Sequence, residues 1–121
     1  MKRIIIADDD PGIQDALQLI LKRRGYDAVI FNSAEPLLTN QFSEPDIFII
    51  DKQLQDADGL DVCRFLKNRE PNPHTPVVIF SASSRIYDIA RAAGADDFLE
   101  KPFNIKTLLE LIEKHTATKT V

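Results

Sequence analysis

The 121 residues predict one α/β domain in which five strands alternate with five helices to form a doubly wound, all-parallel sheet. Two observations carry that class. Short apolar runs recur five times, most of them rich in Ile, Val and Phe without polar alternation, as strands buried on both faces require. Between and after these runs, apolar residues return at helical spacing, and this order of strands and helices implies right-handed crossovers with helices on both faces of the sheet.

The first strand is expected over Arg3 to Ala7. Ile13, Ala16, Leu17, Ile20 and Leu21 follow at i, i+3, i+4, i+7 and i+8, the stripe of a first helix. Pro11 suits its first position, Asp10 its cap and Gly25 its left-handed stop. A second strand, Ala28 to Phe31, leads to a second helix near Ala34 to Gln41. A third strand, Asp46 to Ile50, leads to a third helix near Asp58 to Asn68. Pro71, Pro73 and Pro76 mark a loop into the fourth strand, Val77 to Phe80. Ile86, Ile89, Ala90 and Ala93 predict the fourth helix, closed by Gly94. Asp97 to Leu99 is the fifth strand, and Ile105, Leu108, Leu109 and Ile112 predict the fifth helix. Residues 116–121, "TATKTV", are expected to form a flexible tail of a domain spanning 1–121.

Composition narrows the function. A net charge of −4 disfavours direct nucleic-acid binding, since phosphate backbones select clustered Lys and Arg. Cys63 is the single cysteine, which leaves no disulfide framework and no cysteine zinc site and favours a reducing, cytoplasmic setting. The basic start "MKR" is followed by too short an apolar run for a signal peptide, and no segment has the roughly 18 apolar residues of a membrane span. Cys63 is expected to pack on its helix beside Val62 and Leu66. No role is assigned to His74 or His115.

Ligands of open parallel sheets bind beyond the carboxyl ends of the strands. The residues there are Asp8, Asp9 and Asp10 after the first strand, Asp51 after the third, Ser81, Ala82 and Ser83 after the fourth, and Lys101 and Pro102 after the fifth. Carboxylates gathered at one edge make a hard-oxygen site suited to Mg²⁺. With a metal in place, Asp51 can attack a phosphoryl group to give an acyl phosphate. Lys101 and the Ser81 hydroxyl then meet the phosphoryl oxygens. Asp10, before Pro11, is read as a helix cap rather than a ligand.

The motifs "ADDDPGI", "FIIDKQLQDADGLDVC", "VVIFSASS" and "GADDFLEKPF" stand in order at these strand ends, and with them the whole chain resembles the receiver domain of bacterial two-component response regulators. The resemblance implies a flavodoxin-like sheet of order 2-1-3-4-5, with Asp51 as phosphoacceptor and Mg²⁺ (or Mn²⁺) held by Asp8, Asp9, Asp51 and the Gln53 carbonyl. It implies that Ser81 and Lys101 contact the phosphoryl group, that Lys52, Gln53, Ala82 and Ser83 flank it, and that Lys101–Pro102 is a cis peptide. Ser81 and Phe98 form the switch: Ser81 moves inward on phosphorylation and Phe98 follows, reshaping the surface of the fourth helix, fifth strand and fifth helix. Phe98 lacks the hydroxyl of a tyrosine, so packing alone carries the signal.

The implied partners are a histidine kinase or histidine phosphotransfer protein upstream, and a downstream protein target or effector domain. Membrane binding is not expected, and the domain is expected as a monomer or weak dimer that is regulatory rather than a classical enzyme. The family's usual proline four residues after the acceptor is replaced by Gln55, which implies a looser turn before Gly59. Two alternatives stand beside this reading. A haloacid dehalogenase-type phosphatase would place its nucleophile on the first strand in an Asp-x-Asp-x-Thr pattern, and Asp8-Asp9-Asp10-Pro11-Gly12 lacks the threonine. A receiver-like interaction module would have lost phosphorylation.

Overall fold

The structure is a computed structural model that describes residues 1–70 and 72–117. Its strands are β1 (Arg3–Ala7), β2 (Asp27–Phe31), β3 (Ile47–Asp51), β4 (Val77–Ser81) and β5 (Asp97–Glu100). Its helices are α1 (Pro11–Arg23), α2 (Glu35–Leu38), α3 (Gly59–Lys67), α4 (Tyr87–Ala92), preceded by a 3-10 turn at Ser84–Ile86, and α5 (Ile105–Thr116). All strand pairs are parallel and the order is β2-β1-β3-β4-β5, the expected doubly wound, flavodoxin-like sheet.

The uninterrupted apolar runs follow from burial on both faces. Along β1 and β3, Ile5, Phe48 and Ile50 join Leu37, Leu60, Cys63, Leu66 and Ala90 in one core. Ile4, Ile6, Ile47 and Ile49 point the other way and pack with Leu17, Leu21, Leu108 and Ile112 in a second. The period of two along each strand thus feeds two layers, α2, α3 and α4 on one side and α1 and α5 on the other.

Asp10 caps α1 as expected, its Oδ1 accepting from the N–H groups of Gly12 at 2.8 Å and Ile13 at 3.2 Å. Gly25 and Gly94 end their helices at φ 80° and 95°, values that favour glycine. Three expectations change. The second helix keeps only Glu35–Leu38: Asn40 turns left-handed at φ 57°, and of its two leucines only Leu37 is buried while Leu38 stays exposed. The fourth helix loses its first turn to the 3-10 segment, and Ile89 lies on its solvent side, 51% exposed. Thr116 belongs to α5 rather than to a tail, its hydroxyl donating to the Ile112 carbonyl at 2.6 Å. Residues 118–121 of the expected tail lie outside the described residues.

Candidate functional site

In-register parallel pairing brings the ends of β1, β3 and β4 to one edge of the sheet, with β5 alongside: Ala7 pairs Ile50, Asp51 pairs Phe80 and Ser81 pairs Glu100. The next residues, Asp8 and Lys101, therefore join Asp51 and Ser81 at that edge. A cleft of about 490 Å³ opens there, lined by Asp9, Asp10, Asp51, Gln53, Leu54, Gln55, Ser81, Ala82, Ser83 and Lys101.

Three carboxylates converge. One oxygen each from Asp8, Asp9 and Asp51 lies within 4.8 Å of the others. Asp8 is fully buried and Asp51 nearly so, while Asp9 is half-buried. This all-oxygen, acidic set fits a small divalent cation that retains water ligands. Asp8 Oδ1 accepts from the Asp10 N–H at 2.9 Å and Asp51 Oδ1 from the Gln53 N–H at 3.0 Å. Their second oxygens share Lys101, whose Nζ donates to Asp8 Oδ2 and to Asp51 Oδ2, each at 2.9 Å.

The charges respond to this crowding. Burial raises the pKa of Asp8 above the ordinary carboxylate value, with the charge of Asp51 adding to it, and the bonds from Asp10 and Lys101 offset only part of the rise. Burial acts on Lys101 in the opposite sense to its neighbours: it lowers the ammonium's pKa, but the hydrogen bonds to Asp51 and Asp8 prevail and hold it above the usual lysine value. Lys101 is placed by its backbone, whose N–H donates to the Ser81 carbonyl at 2.7 Å, and its peptide to Pro102 is cis, as the resemblance implied.

Ser81 is 9% exposed, and its Oγ accepts from the Ser83 N–H at 3.2 Å. Ala82 and Ser83 are exposed on the cleft rim. Phe98 lies on β5 away from the cleft, packed against the core that contains Ile79 and edge-on to Tyr87, with ring centroids 5.9 Å apart at 75°.

Lys52 is not where a phosphoryl neighbour was expected. Successive side chains on an extended segment alternate, so the residue after Asp51 points away. Its ammonium instead pairs with Asp58 Oδ2 at 2.7 Å, on the far side of the loop. Asp58 also caps α3 through the Leu60 N–H at 2.8 Å. Burial acts to raise the Asp58 pKa, but the Lys52 and Leu60 bonds outweigh it and hold the carboxyl below its usual value.

Gly59 was read only as the end of a turn. A Cβ there would overlap the Asp51 carbonyl oxygen, and the Gly59 N–H donates to the Lys52 carbonyl at 2.7 Å. This close approach fixes the backbone under Asp51, and the "DG" pair after the third strand was its signal.

Known proteins share this sequence family and fold. Residues 4–113 match the family model of the response regulator receiver domain, and the chain belongs to that family. It is 33% identical over 111 residues to the DNA-binding response regulator MtrA of Mycolicibacterium smegmatis, an alignment covering 89% of this chain and 47% of that protein. The chain thus spans about half the length of such curated relatives. A putative response regulator from Chloroflexus aurantiacus superposes with a TM-score of 0.88 at 29% identity, covering 97% of this chain and 98% of the other. The receiver domain of the sensor histidine kinase PA1611 from Pseudomonas aeruginosa shares the fold, with a TM-score of 0.87 at 20% identity over 97% of this chain and 98% of its own; that structure has a magnesium ion coordinated in its active-site cleft. Family membership sets aside the phosphatase alternative and makes the domain a regulatory element of two-component signalling. No helix among the described residues is long and apolar enough to cross a membrane.

Proposed function

We propose that Asp51 accepts a phosphoryl group from a phosphohistidine on a histidine kinase or histidine phosphotransfer protein, and that the acyl phosphate so formed changes the surface of α4, β5 and α5. A cytoplasmic effector domain or target protein reads that surface. The observation that carries this reading is the placement of Asp51: nearly buried, open to a cleft on one side, and bonded at Oδ2 to an ammonium that is itself bonded to a second carboxylate.

Asp8, Asp9 and Asp51, with the Gln53 backbone carbonyl, would hold Mg²⁺ or Mn²⁺. The cation supplies charge neutralisation for the phosphoryl oxygens and for the acidic cluster. Asp51 Oδ2 attacks phosphorus as the histidine N–P bond breaks, and the leaving imidazole nitrogen keeps its electron pair and takes a proton. Lys101 follows the incoming charge from Asp51 to a phosphoryl oxygen, and the Ser81 hydroxyl donates to another. To reach it Ser81 moves toward the cleft and gives up its bond from Ser83, and Phe98 shifts into the space behind it. Gln53 and Ser83, both lining the cleft, govern the access of water to the acyl phosphate. Lys52 takes no part, because Asp58 holds it.

Titration of ¹⁵N-labelled protein with Mg²⁺ and beryllium fluoride tests the reading. The expected result is a saturable change in the amide resonances of Ser81, Ser83 and Phe98 that is lost in Asp51→Asn. An unchanged spectrum would favour an interaction module that does not respond to phosphorylation.

A further inference from the structure

The loop between β3 and α3 carries Asp56, five residues after Asp51, and its carboxylate reaches out of its own loop. Oδ1 and Oδ2 accept from the Ala34 N–H at 2.9 and 3.2 Å, and Oδ2 also accepts from the Glu35 N–H at 3.0 Å. These are opening N–H groups of α2, which has no internal partners for them. Ala34, at the capping position, has no side-chain oxygen, so Asp56 supplies the cap from 22 residues away.

The same contact restrains the loop. At its base the loop is closed by the antiparallel bridge between Gln53 and Asp58 and by the Leu54 N–H donating to the Ala57 carbonyl at 3.2 Å. At its tip the fork from Asp56 ties it to α2, which is anchored by the fully buried Ala34 and Leu37. Gln53 and Gln55 are exposed. The Gln53 N–H nevertheless meets Asp51 Oδ1 at 3.0 Å, so displacement of the loop moves the backbone beside the acceptor.

We infer that Asp56 is a positioning residue for the cation site: by tying the β3–α3 loop to the start of α2, it holds the Gln53 backbone where its carbonyl completes the Asp8, Asp9 and Asp51 carboxylate set. This role rests on the divalent-cation reading of the cleft. Asp56 touches neither the cation nor the phosphoryl group. Groups that orient metal ligands from outside the coordination sphere typically change metal affinity by about ten- to a hundredfold.

Calorimetric titration of the whole chain with Mg²⁺, together with amide hydrogen exchange at Ala34 and Glu35, tests the role in wild type, Asp56→Ala and Asp56→Asn. Asp56→Ala is expected to bind Mg²⁺ roughly tenfold more weakly, with faster exchange at both amides and Leu37 still protected. Asp56→Asn loses the charge but keeps one acceptor oxygen, and is expected to recover part of the affinity and of the protection. Equal affinities in wild type and Asp56→Ala overturn the role of Asp56 alone. Equal weakness in Asp56→Asn and Asp56→Ala, with Ala34 still protected in Asp56→Asn, assigns the effect to charge and also overturns it. A wild-type chain that takes up no Mg²⁺ overturns the cation site and, with it, this role.

Discussion

The Lys101 ammonium meets Asp8 Oδ2 at 2.9 Å, the same distance at which it meets Asp51 Oδ2. One cation from the end of β5 thus offsets two carboxylates from the ends of β1 and β3, the second of them the proposed acceptor. The acidic run "DDD" has a positive partner within the chain, and the site is arranged so that an incoming phosphoryl group competes for it. Removing that partner leaves Asp8, fully buried, without its ammonium. Lys101→Met is expected to cost on the order of 2–3 kcal/mol in denaturant unfolding without metal. Mg²⁺ should recover much of that loss, because its own ligands are intact, while the beryllium fluoride response at Phe98 should vanish.

Asp8 sets a pH dependence. Its pKa is raised in the folded state, chiefly by burial, and returns to the ordinary carboxylate range on unfolding. Between those two values the native state holds a proton that the unfolded state has released, so Asp8 makes stability fall as pH rises through that window, and the cost persists above it. Asp8→Asn is expected to be more stable than wild type at neutral pH without divalent cations. The gain should shrink as pH falls toward about 4, near the ordinary carboxylate value. Urea unfolding of both proteins across that range measures it.

Arg69 ties the end of α3 to the loop that enters β3 and to its own loop before β4. It donates to both Glu44 oxygens at 2.9 Å and to the Leu66 and Asn72 carbonyls, and its guanidinium lies 5.4 and 5.2 Å from the ring centroids of Phe42 and Phe48. An ammonium cannot reproduce the fork or the stacking. Arg69→Lys is expected to lower unfolding free energy by about 1–3 kcal/mol without altering Mg²⁺ affinity.

Cys63 should be chemically silent. It is fully buried on α3, where burial pushes its thiol up to about 11. Alkylation by iodoacetamide at pH 8 is expected only after denaturant is added, since the thiolate is the reactive form. Rapid labelling of the native protein would contradict the packing of α3 on the sheet.

What the sequence made legible depended on whether the physics was local. β1, β3 and β4 were readable because residues buried on both sheet faces leave continuous apolar runs, the half-buried edge strands β2 and β5 left shorter ones, and Asp8, Asp51, Ser81 and Lys101 followed from their places after those runs. α2 is shorter than expected because Asn40 turns left-handed and stops it, a conformation that asparagine adopts more readily than other residues with a side chain. Lys52, which the resemblance sets beside the phosphoryl group, is turned by the strand period to Asp58 instead. The contacts of Asp8 with Lys101 and of Asp56 with Ala34 join residues 93 and 22 positions apart, and no local pattern encodes either.

The chemistry at Asp51 is tested most directly by locating the phosphoryl group. The protein is incubated with acetyl phosphate and Mg²⁺, the acyl phosphate is reduced with borohydride, and the modified residue is found by peptide mass mapping. The expected product is modified at Asp51 and is missing from Asp51→Asn. Modification at Asp8 instead, or undiminished labelling of Asp51→Asn, would contradict the assignment of Asp51 as the acceptor.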